Sequence, residues 1–411
     1  MTTLGVWMAG QHIATITESR NKMKLTYVVG AAQLGVPLVS VAMPMTAGAY
    51  TDRIVRPFFH GLLPEGEARL MIAYDFGLDA NDDFGLLSML GRDCAGALVV
   101  LPAGETPAEP GDGPPLEVLD ENEIERRLKA LPVQPLGITG KIRASLPGVQ
   151  PKLLLTRRDD QWCSPDAIHP STHILKPAIA ELEHSVANEG FCMNAAARSG
   201  LRSAPTTVTH FGGVTVLISQ RYDRQSGPDG TTARIHQEDT CQALSIMTRV
   251  AKQKYESYGG PPLRAIAETL TQWGGSAVEL LEHVTFSVLM GNADLHGKNI
   301  SFLHHGDGTV GLAPIYDVMC TTHYDGQAGR RDVDTGLGLF IGGQTDILQV
   351  TTDDLVTEAT SWGMRPAPAH ATIARLADAV TDGIARTLDE LDLDVPTPIV
   401  NRVRRRTRTF T

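Results

Sequence analysis

Residues 4–29 alternate apolar and polar positions, with a turn near Gly10 and a further alternating run at 22–28. That period of two predicts a hairpin or meander. The stretch 27–45 is uncharged, but Gly30, Gln33, Gly35, Pro37, Ser40 and Pro44 interrupt it. It therefore reads as short strands and turns, not as a membrane span. Helical spacing follows at 65–76, entered through Leu63 and Pro64, and again at 84–90, with a strand at 96–101. The Pro/Gly-rich tract 102–115 can bury almost nothing and reads as an exposed loop or linker. Asp120 then heads a short helix as N-cap, with Glu123 placed to complete a capping box. The boundary of an N-terminal accessory domain falls near that helix.

From about residue 140 the pattern changes. Segments 149–157, 173–176 and 214–219 read as strands, and 186–198 as a helix carrying Glu189. After Gln237 the chain is mainly helical. Segment 279–291 holds Leu280, Leu281, Val284, Phe286, Val288, Leu289 and Met290, a mostly buried helix. Two short strands, 300–303 and 310–313, flank His304 and His305, which have no other ligand at metal spacing and read as hairpin-loop chemistry. The order is strand, strand with lysine, helix with glutamate, strands, then helices. This is the layout of a nucleotide-binding small lobe followed by a helical large lobe, an α+β fold. No internal repeat is visible.

The chemistry concentrates in residues 291–299, Gly-Asn-Ala-Asp-Leu-His-Gly-Lys-Asn, with Tyr316 and Asp317 shortly after. A lone Asp-x-His-x-x-Asn is more often a polar loop with capping residues. Here it follows a buried helix and precedes a hairpin and an aspartate, the order of a kinase large lobe. Phosphoryl transfer needs a carboxylate to accept the proton of the attacking hydroxyl, and oxygen ligands for Mg²⁺. Asp294 is the candidate base, and Asn299 and Asp317 the candidate metal pair. Lys176 ends a strand and is suited to phosphate oxygens; Glu189 is its candidate partner. The loop 145–152 holds a single internal glycine, so it is neither a Walker A loop nor Gly-x-Gly-x-x-Gly, and alone is a weak phosphate signal. Residues 218–224 end a strand where a kinase joins its lobes.

With 411 residues the chain has room for two or three domains. Its net charge of −11 argues against non-specific nucleic-acid binding by the whole surface. Arg402, Arg404, Arg405, Arg406 and Arg408 form a local basic run, which by default is a solvated face. The 5 cysteines are widely spaced without a Cys-x-x-Cys pair, which fits a reducing cytosol. No signal peptide is visible at the N-terminus, so the expected location is cytoplasmic, without membrane attachment.

Further ordered pieces are residues 61–65 and 91–97 in the N-terminal part, then 145–152, 172–176, Asn188 and Glu189, 221–224, 237–239, 254–257, 259–261, 291–299 and 315–317. Together they resemble the HipA family, bacterial serine/threonine kinases that act as toxins of type II toxin–antitoxin modules. The resemblance runs almost end to end. It implies a HipA-like, protein-kinase-related two-lobe fold: a mixed α/β N-terminal accessory domain at 1–130, a small nucleotide-binding lobe at 131–225 and a mainly helical large lobe at 226–411. It implies ATP and Mg²⁺ as cofactors, Asp294 as catalytic base, and Asn299 and Asp317 as metal ligands. Lys176 matches the ATP-phosphate lysine, Lys152 lies in the phosphate-side loop, and Gln220 and Tyr222 fall on the adenine hinge. His296 and Lys298, inside the catalytic loop, join the ATP-binding set, His296 as a support rather than a proton carrier. Ser145 matches a loop serine that the family autophosphorylates, switching the kinase off. Pro147 and Pro151 depart from the family's loop and stiffen it, which puts loop ejection in doubt.

The resemblance also implies partners: a small helix-turn-helix antitoxin of the HipB kind, operator DNA reached only through that antitoxin, and a protein substrate such as an aminoacyl-tRNA synthetase. Growth arrest and persistence would be the outcome. Two other readings remain open. One is a small-molecule phosphotransferase sharing the Asp, Asn and Asp elements; the other is a nucleotide-binding corepressor acting with a DNA-binding antitoxin.

Overall fold

The structure is a computed structural model that describes residues 2–45, 48–108, 116–137, 145–227, 231–326 and 335–410. The N-terminal strands Thr2–Met8, Gln11–Ser19 and Lys22–Tyr27 form an antiparallel meander, and Val99–Pro102 adds to the free edge of the first. Alternation drives it: Met23, Leu25 and Tyr27 are buried while Lys22, Lys24 and Thr26 face solvent. Helices Asp52–Gly61 and Asp83–Leu90 put Val55, Phe58, Phe59, Leu86, Leu87 and Leu90 into the same core. In the tract 102–115, residues 103–106 are exposed, and 109–115 lie outside the described residues.

A second core sits under a five-stranded antiparallel sheet. Its order is Gln161–Cys163, Leu153–Arg158, His173–Pro177, Val214–Gln220, Thr206–Phe211. The helix Glu121–Ala130 lays Ile124 and Leu128, one turn apart, on Leu153, Leu155, Leu175 and Val216. By packing it goes with this sheet, although a boundary at 130 assigns it to the N-terminal domain. Asp120 caps it by accepting from the Glu123 amide at 2.8 Å. The reciprocal half of the box is missing, because the Glu123 carboxylate is taken by Arg126 and Arg127 at 2.7 Å each.

The third and largest core is helical, built around Ala277–Met290 and the long helix Pro366–Glu390. The helix Ser185–Arg198 belongs to both lobes. Glu189 faces the cleft, while Phe191, Met193, Ala195 and Ala196 pack into the large-lobe core. The cleft wall is therefore braced by both halves.

Buried charge bolts the N-terminal domain to the hinge. Asp93 accepts from Arg224 at 2.8 Å and from the amide and hydroxyl of Ser171 at 2.9 and 2.7 Å. Asp223 pairs with Arg221 at 2.8 Å and accepts from the Gly96 amide at 2.7 Å. Glu238 accepts from Ser40 at 2.5 Å, the Val41 amide at 2.8 Å and His304 at 2.9 Å. His304 is thus no hairpin-loop residue. It closes the strand Ser301–His304 inside the domain interface, and only His305 is exposed. All 5 cysteines are free and buried. No helix among the described residues is long and apolar enough to cross a membrane.

Candidate active site

A cavity of about 790 Å³ lies between the five-stranded sheet, the hinge and the helical lobe. Lys152, Lys176, Gln220, Tyr222, Asp294, His296, Lys298, Asn299 and Asp317 all line it. Ser145, the remaining candidate, does not.

Lys176 is the second-last residue of the strand His173–Pro177. Strand alternation sends Leu175 into the sheet's core and turns Lys176 to the cavity. Its ammonium donates to Glu189 at 2.7 Å and to Asp317 at 2.5 Å. Burial by itself would lower the Lys176 pKa, but Asp317 and Glu189 outweigh burial and hold it above its ordinary value. Asp317 is held well below the usual carboxylate range; burial opposes this, and Lys176 prevails. Its backbone is left-handed, φ 59°, a strained conformation for a non-glycine residue that is met at functional sites. Its side chain keeps 42% exposure.

Lys152 is nearly buried and donates to the Pro147 carbonyl at 2.7 Å. The loop can fold over it only because residue 148 is glycine. There φ is +109°, and an added Cβ would lie 2.5 Å from the lysine ammonium. Burial, followed by the charge of Lys176, pushes the Lys152 pKa down to about 8. Ser145, at the start of the same loop, is turned away. Its amide donates to the Asp93 carbonyl at 2.8 Å and its hydroxyl to the Leu62 carbonyl at 2.6 Å, fully buried.

On the opposite wall, Gly291 caps the helix Ala277–Met290 in left-handed geometry, φ 68°. The loop that follows is pinned on several sides. The Ala293 amide donates to Thr321 Oγ1 at 2.8 Å, the Gly297 amide to the Lys254 carbonyl at 3.0 Å, and Thr240 Oγ1 to the Gly297 carbonyl at 2.6 Å. Asp294 accepts from the Tyr255 hydroxyl at 2.6 Å. Burial raises its carboxyl pKa, while Lys254 and the Tyr255 hydrogen bond oppose the rise. His296 Nε2 stands 4.0 Å from Asp294 Oδ2. Burial, then the Lys254 charge, hold its pKa well below the ordinary value, so it is neutral at pH 7. Asn299 donates its amide nitrogen to the Asp294 carbonyl at 3.2 Å, which leaves its oxygen for another partner.

Lys298 lines the cavity, but its ammonium is held by Asp239 at 2.8 Å and Glu65 at 3.5 Å. It ties the loop to the N-terminal domain and is a poor phosphate donor while so engaged. At the hinge, Gln220 is exposed, and the Tyr222 hydroxyl donates to Gln237. The Tyr222 ring packs on Tyr316 at a centroid distance of 5.5 Å.

The donor set fits a nucleotide with a hard cation. Asn299 and Asp317 each offer oxygen, a ligand type Mg²⁺ prefers, and phosphate and water complete such a shell. No cluster of three or more His, Cys, Asp or Glu occurs among the described residues, so nothing here resembles an all-protein metal cage. The sequence reading gave no role to Glu65, Asp239, Lys254 or Tyr255. Their signal was membership of the ordered pieces 61–65, 237–239 and 254–257, the last opening a polar cluster and turn, 254–261, expected to face the cleft.

Comparison with known proteins points the same way. A model of the HipA-like C-terminal domain matches residues 144–384, and one of the HipA N-terminal domain matches residues 4–101. The protein Y4mE of Sinorhizobium fredii, whose name places it provisionally among the kinases, is 35% identical and aligns with 97% of this chain and 95% of its own. The serine/threonine-protein kinase toxin HipA of Shewanella oneidensis is 28% identical over 87% of this chain and 82% of its own. A solved chain from the Shewanella oneidensis complex of HipA, HipB and operator DNA superposes with TM-score 0.82 at 24% identity, covering 99% of this chain and 95% of that one. It shows a shared fold.

Proposed function

This chain belongs to the HipA family of kinases, and from that premise we propose an ATP- and Mg²⁺-dependent protein serine/threonine kinase, the toxin of a HipBA-like toxin–antitoxin module. The observation that carries the reading is the convergence of Lys176, Asp294, Asn299 and Asp317, from three separate segments, on one cavity. Asp294 accepts the proton of the acceptor hydroxyl as its oxygen attacks the γ-phosphorus. Asn299 and Asp317 would hold the cation, which offsets charge on the transferred phosphoryl. Lys176 exchanges its Asp317 contact for a phosphate oxygen and stays anchored by Glu189. Lys152 adds charge from the loop above. The work is positioning and charge neutralisation on a pinned loop.

Ser145 is the proposed self-silencing site. Its hydroxyl can be phosphorylated only after leaving the Leu62 carbonyl. Once modified it carries a charge of about −1.5 to −2, and it cannot return to a buried acceptor. The proposed module partners are a helix-turn-helix antitoxin and, through it, operator DNA; the Shewanella oneidensis neighbour, solved as a complex of HipA, HipB and operator DNA, supports an antitoxin of the HipB kind. A translation component such as an aminoacyl-tRNA synthetase is the proposed substrate, and the cytoplasm the proposed location, in keeping with free buried thiols.

The test is label transfer from γ-labelled ATP with Mg²⁺, offered peptides, cell-extract protein and small alcohols in parallel. Label on protein serine or threonine, including Ser145, supports the proposal. Label on small alcohols alone makes the chain a small-molecule phosphotransferase. ATP binding with no transfer at all makes it a nucleotide-binding corepressor.

A further inference from the structure

The turn at residues 254–260 lies outside the catalytic loop, yet it reaches the candidate base. Tyr255 sits between two short 3₁₀ turns, Ala251–Lys254 and Glu256–Tyr258. Its carbonyl accepts from the amides of Tyr258 and Gly260, both at 2.9 Å. The preceding carbonyl, of Lys254, accepts from the Gly297 amide at 3.0 Å, so this turn and the catalytic loop are joined through backbone. The following side chain, Glu256, accepts from the Phe340 amide at 2.7 Å. The Tyr255 ring meets His296 edge-on, with centroids 5.1 Å apart at 89°, and the Lys254 ammonium stands 5.5 Å above its face. A tyrosine fixed on so many sides holds its hydroxyl at a defined point. That hydroxyl lies 2.6 Å from Asp294 Oδ1.

We propose that Tyr255 is a positioning residue for phosphoryl transfer: its hydroxyl fixes the rotation of the Asp294 carboxylate by binding Oδ1, so that Oδ2 is presented to the acceptor hydroxyl. This rests on Asp294 being the base. A carboxylate at a cleft wall can turn about its last bond, and a base is useful only when its free oxygen lies within hydrogen-bond reach of the proton it takes. Among the described residues the opposite oxygen has no strong competitor, since His296 is 4.0 Å from Oδ2, beyond a hydrogen bond. The neutral His296 ring acts as a wall behind the tyrosine and, by this geometry, does not compete for the proton. The reaction adds no new step. The acceptor oxygen bonds to the γ-phosphorus as that phosphorus loses its bond to the bridging oxygen of ADP, which leaves with the electron pair; the acceptor O–H proton goes to Asp294 Oδ2, and the Tyr255 O–H stays intact.

The experiment is a double-mutant cycle on the full chain with Tyr255→Phe, Asp294→Asn and the pair, measuring kcat, KM for ATP and thermal midpoint. Phenylalanine keeps the ring and its contacts with His296 and Lys254, so the fold is retained. A hydrogen bond to a charged group is worth roughly 10- to 100-fold in rate. The expected result is a kcat lowered by that factor, KM for ATP and the midpoint unchanged, and no further loss from Tyr255→Phe once Asp294 is asparagine. A wild-type kcat in Tyr255→Phe overturns the inference. So do losses that multiply in the pair, a loss that appears only in KM, or phosphate found on Tyr255 itself. If wild type and Asp294→Asn transfer equally, the Asp294 assignment fails first and takes the inference with it. If wild type is active, Asp294→Asn is not and Tyr255→Phe is normal, the inference alone fails.

Discussion

Asp93 and Asp317 are both carboxylates held well below the usual range against the cost of burial, the first mainly by Arg224 and Arg221, the second by Lys176. Their surroundings differ. Asp93 is 5% exposed, and both of its oxygens are bonded: one to Arg224, with Arg234 at 3.6 Å and Arg221 at 3.9 Å, the other to Ser171. Asp317 is 42% exposed, sits in strained backbone, and shares with Glu189 a lysine that can give up one of two contacts. The ingredients are the same. Where the coordination is closed, the charges fix two domains together. Where it is left open at a cavity, they are available for a ligand. The folded hinge depends on the first cluster, and the proposed chemistry on the second.

Breaking the closed cluster gives the largest expected effect. Asp93→Ala leaves Asp223 as the one remaining carboxylate paired with the buried Arg221 and Arg224 among the described residues, takes the Asp93 charge from Arg234, and should cost about 3–5 kcal/mol of stability, read by chemical denaturation. The sign with pH follows from the lowered pKa. The contribution is present above the unfolded-state value near ~3.9 and is lost as pH falls below it. Asp93→Ala should therefore flatten the acid limb of the stability curve. A variant as stable and as acid-sensitive as wild type would mean the cluster holds nothing together.

Opening the second cluster should do the opposite. Asp317→Asn is expected to lower transfer by roughly 10²–10³-fold and to weaken the Mg²⁺ dependence. Stability should stay within about 1 kcal/mol, as for a partly exposed pair. A stability loss matching that of Asp93→Ala would erase the contrast.

A smaller effect sharpens it. Lys152 has a pKa near 8 without nucleotide, because burial and Lys176 disfavour its charge. Bound phosphates favour the charged form, so ATP binding should take up a proton between about pH 8 and 9. Affinity should fall roughly 10-fold as the site deprotonates from pH 7 to 9. Calorimetry in buffers of different ionisation enthalpy reads the proton count. No uptake at pH 8.5 would place Lys152 away from the phosphates.

Much of this was legible in order along the chain. Lys176 at a strand end, Glu189 on the next helix and the glycine-bounded run 291–299 announce themselves through local periodicity, and they do converge on one cavity. Pairings between distant segments were not legible. Lys298 reads as a loop lysine facing ATP, and only the fold brings Glu65 from the N-terminal domain to within 3.5 Å of it. Tyr255 looks like one of several polar residues in a turn until the structure sets it against Asp294. The helix at 121–130 shows the same limit, since its packing on the five-stranded sheet is a contact between distant segments. Its apolar face is visible in sequence, but the surface that receives it is not.

Asp294 carries the proposed chemistry. Asp294→Asn keeps the size of the side chain and an acceptor for Tyr255, but it cannot take the acceptor's proton. Titration calorimetry with ATP and Mg²⁺, paired with label transfer on the same preparation, should show binding close to wild type and transfer reduced by roughly 10²–10⁴-fold. Transfer at the wild-type rate with normal binding would show that residues 291–299 do not form the catalytic loop.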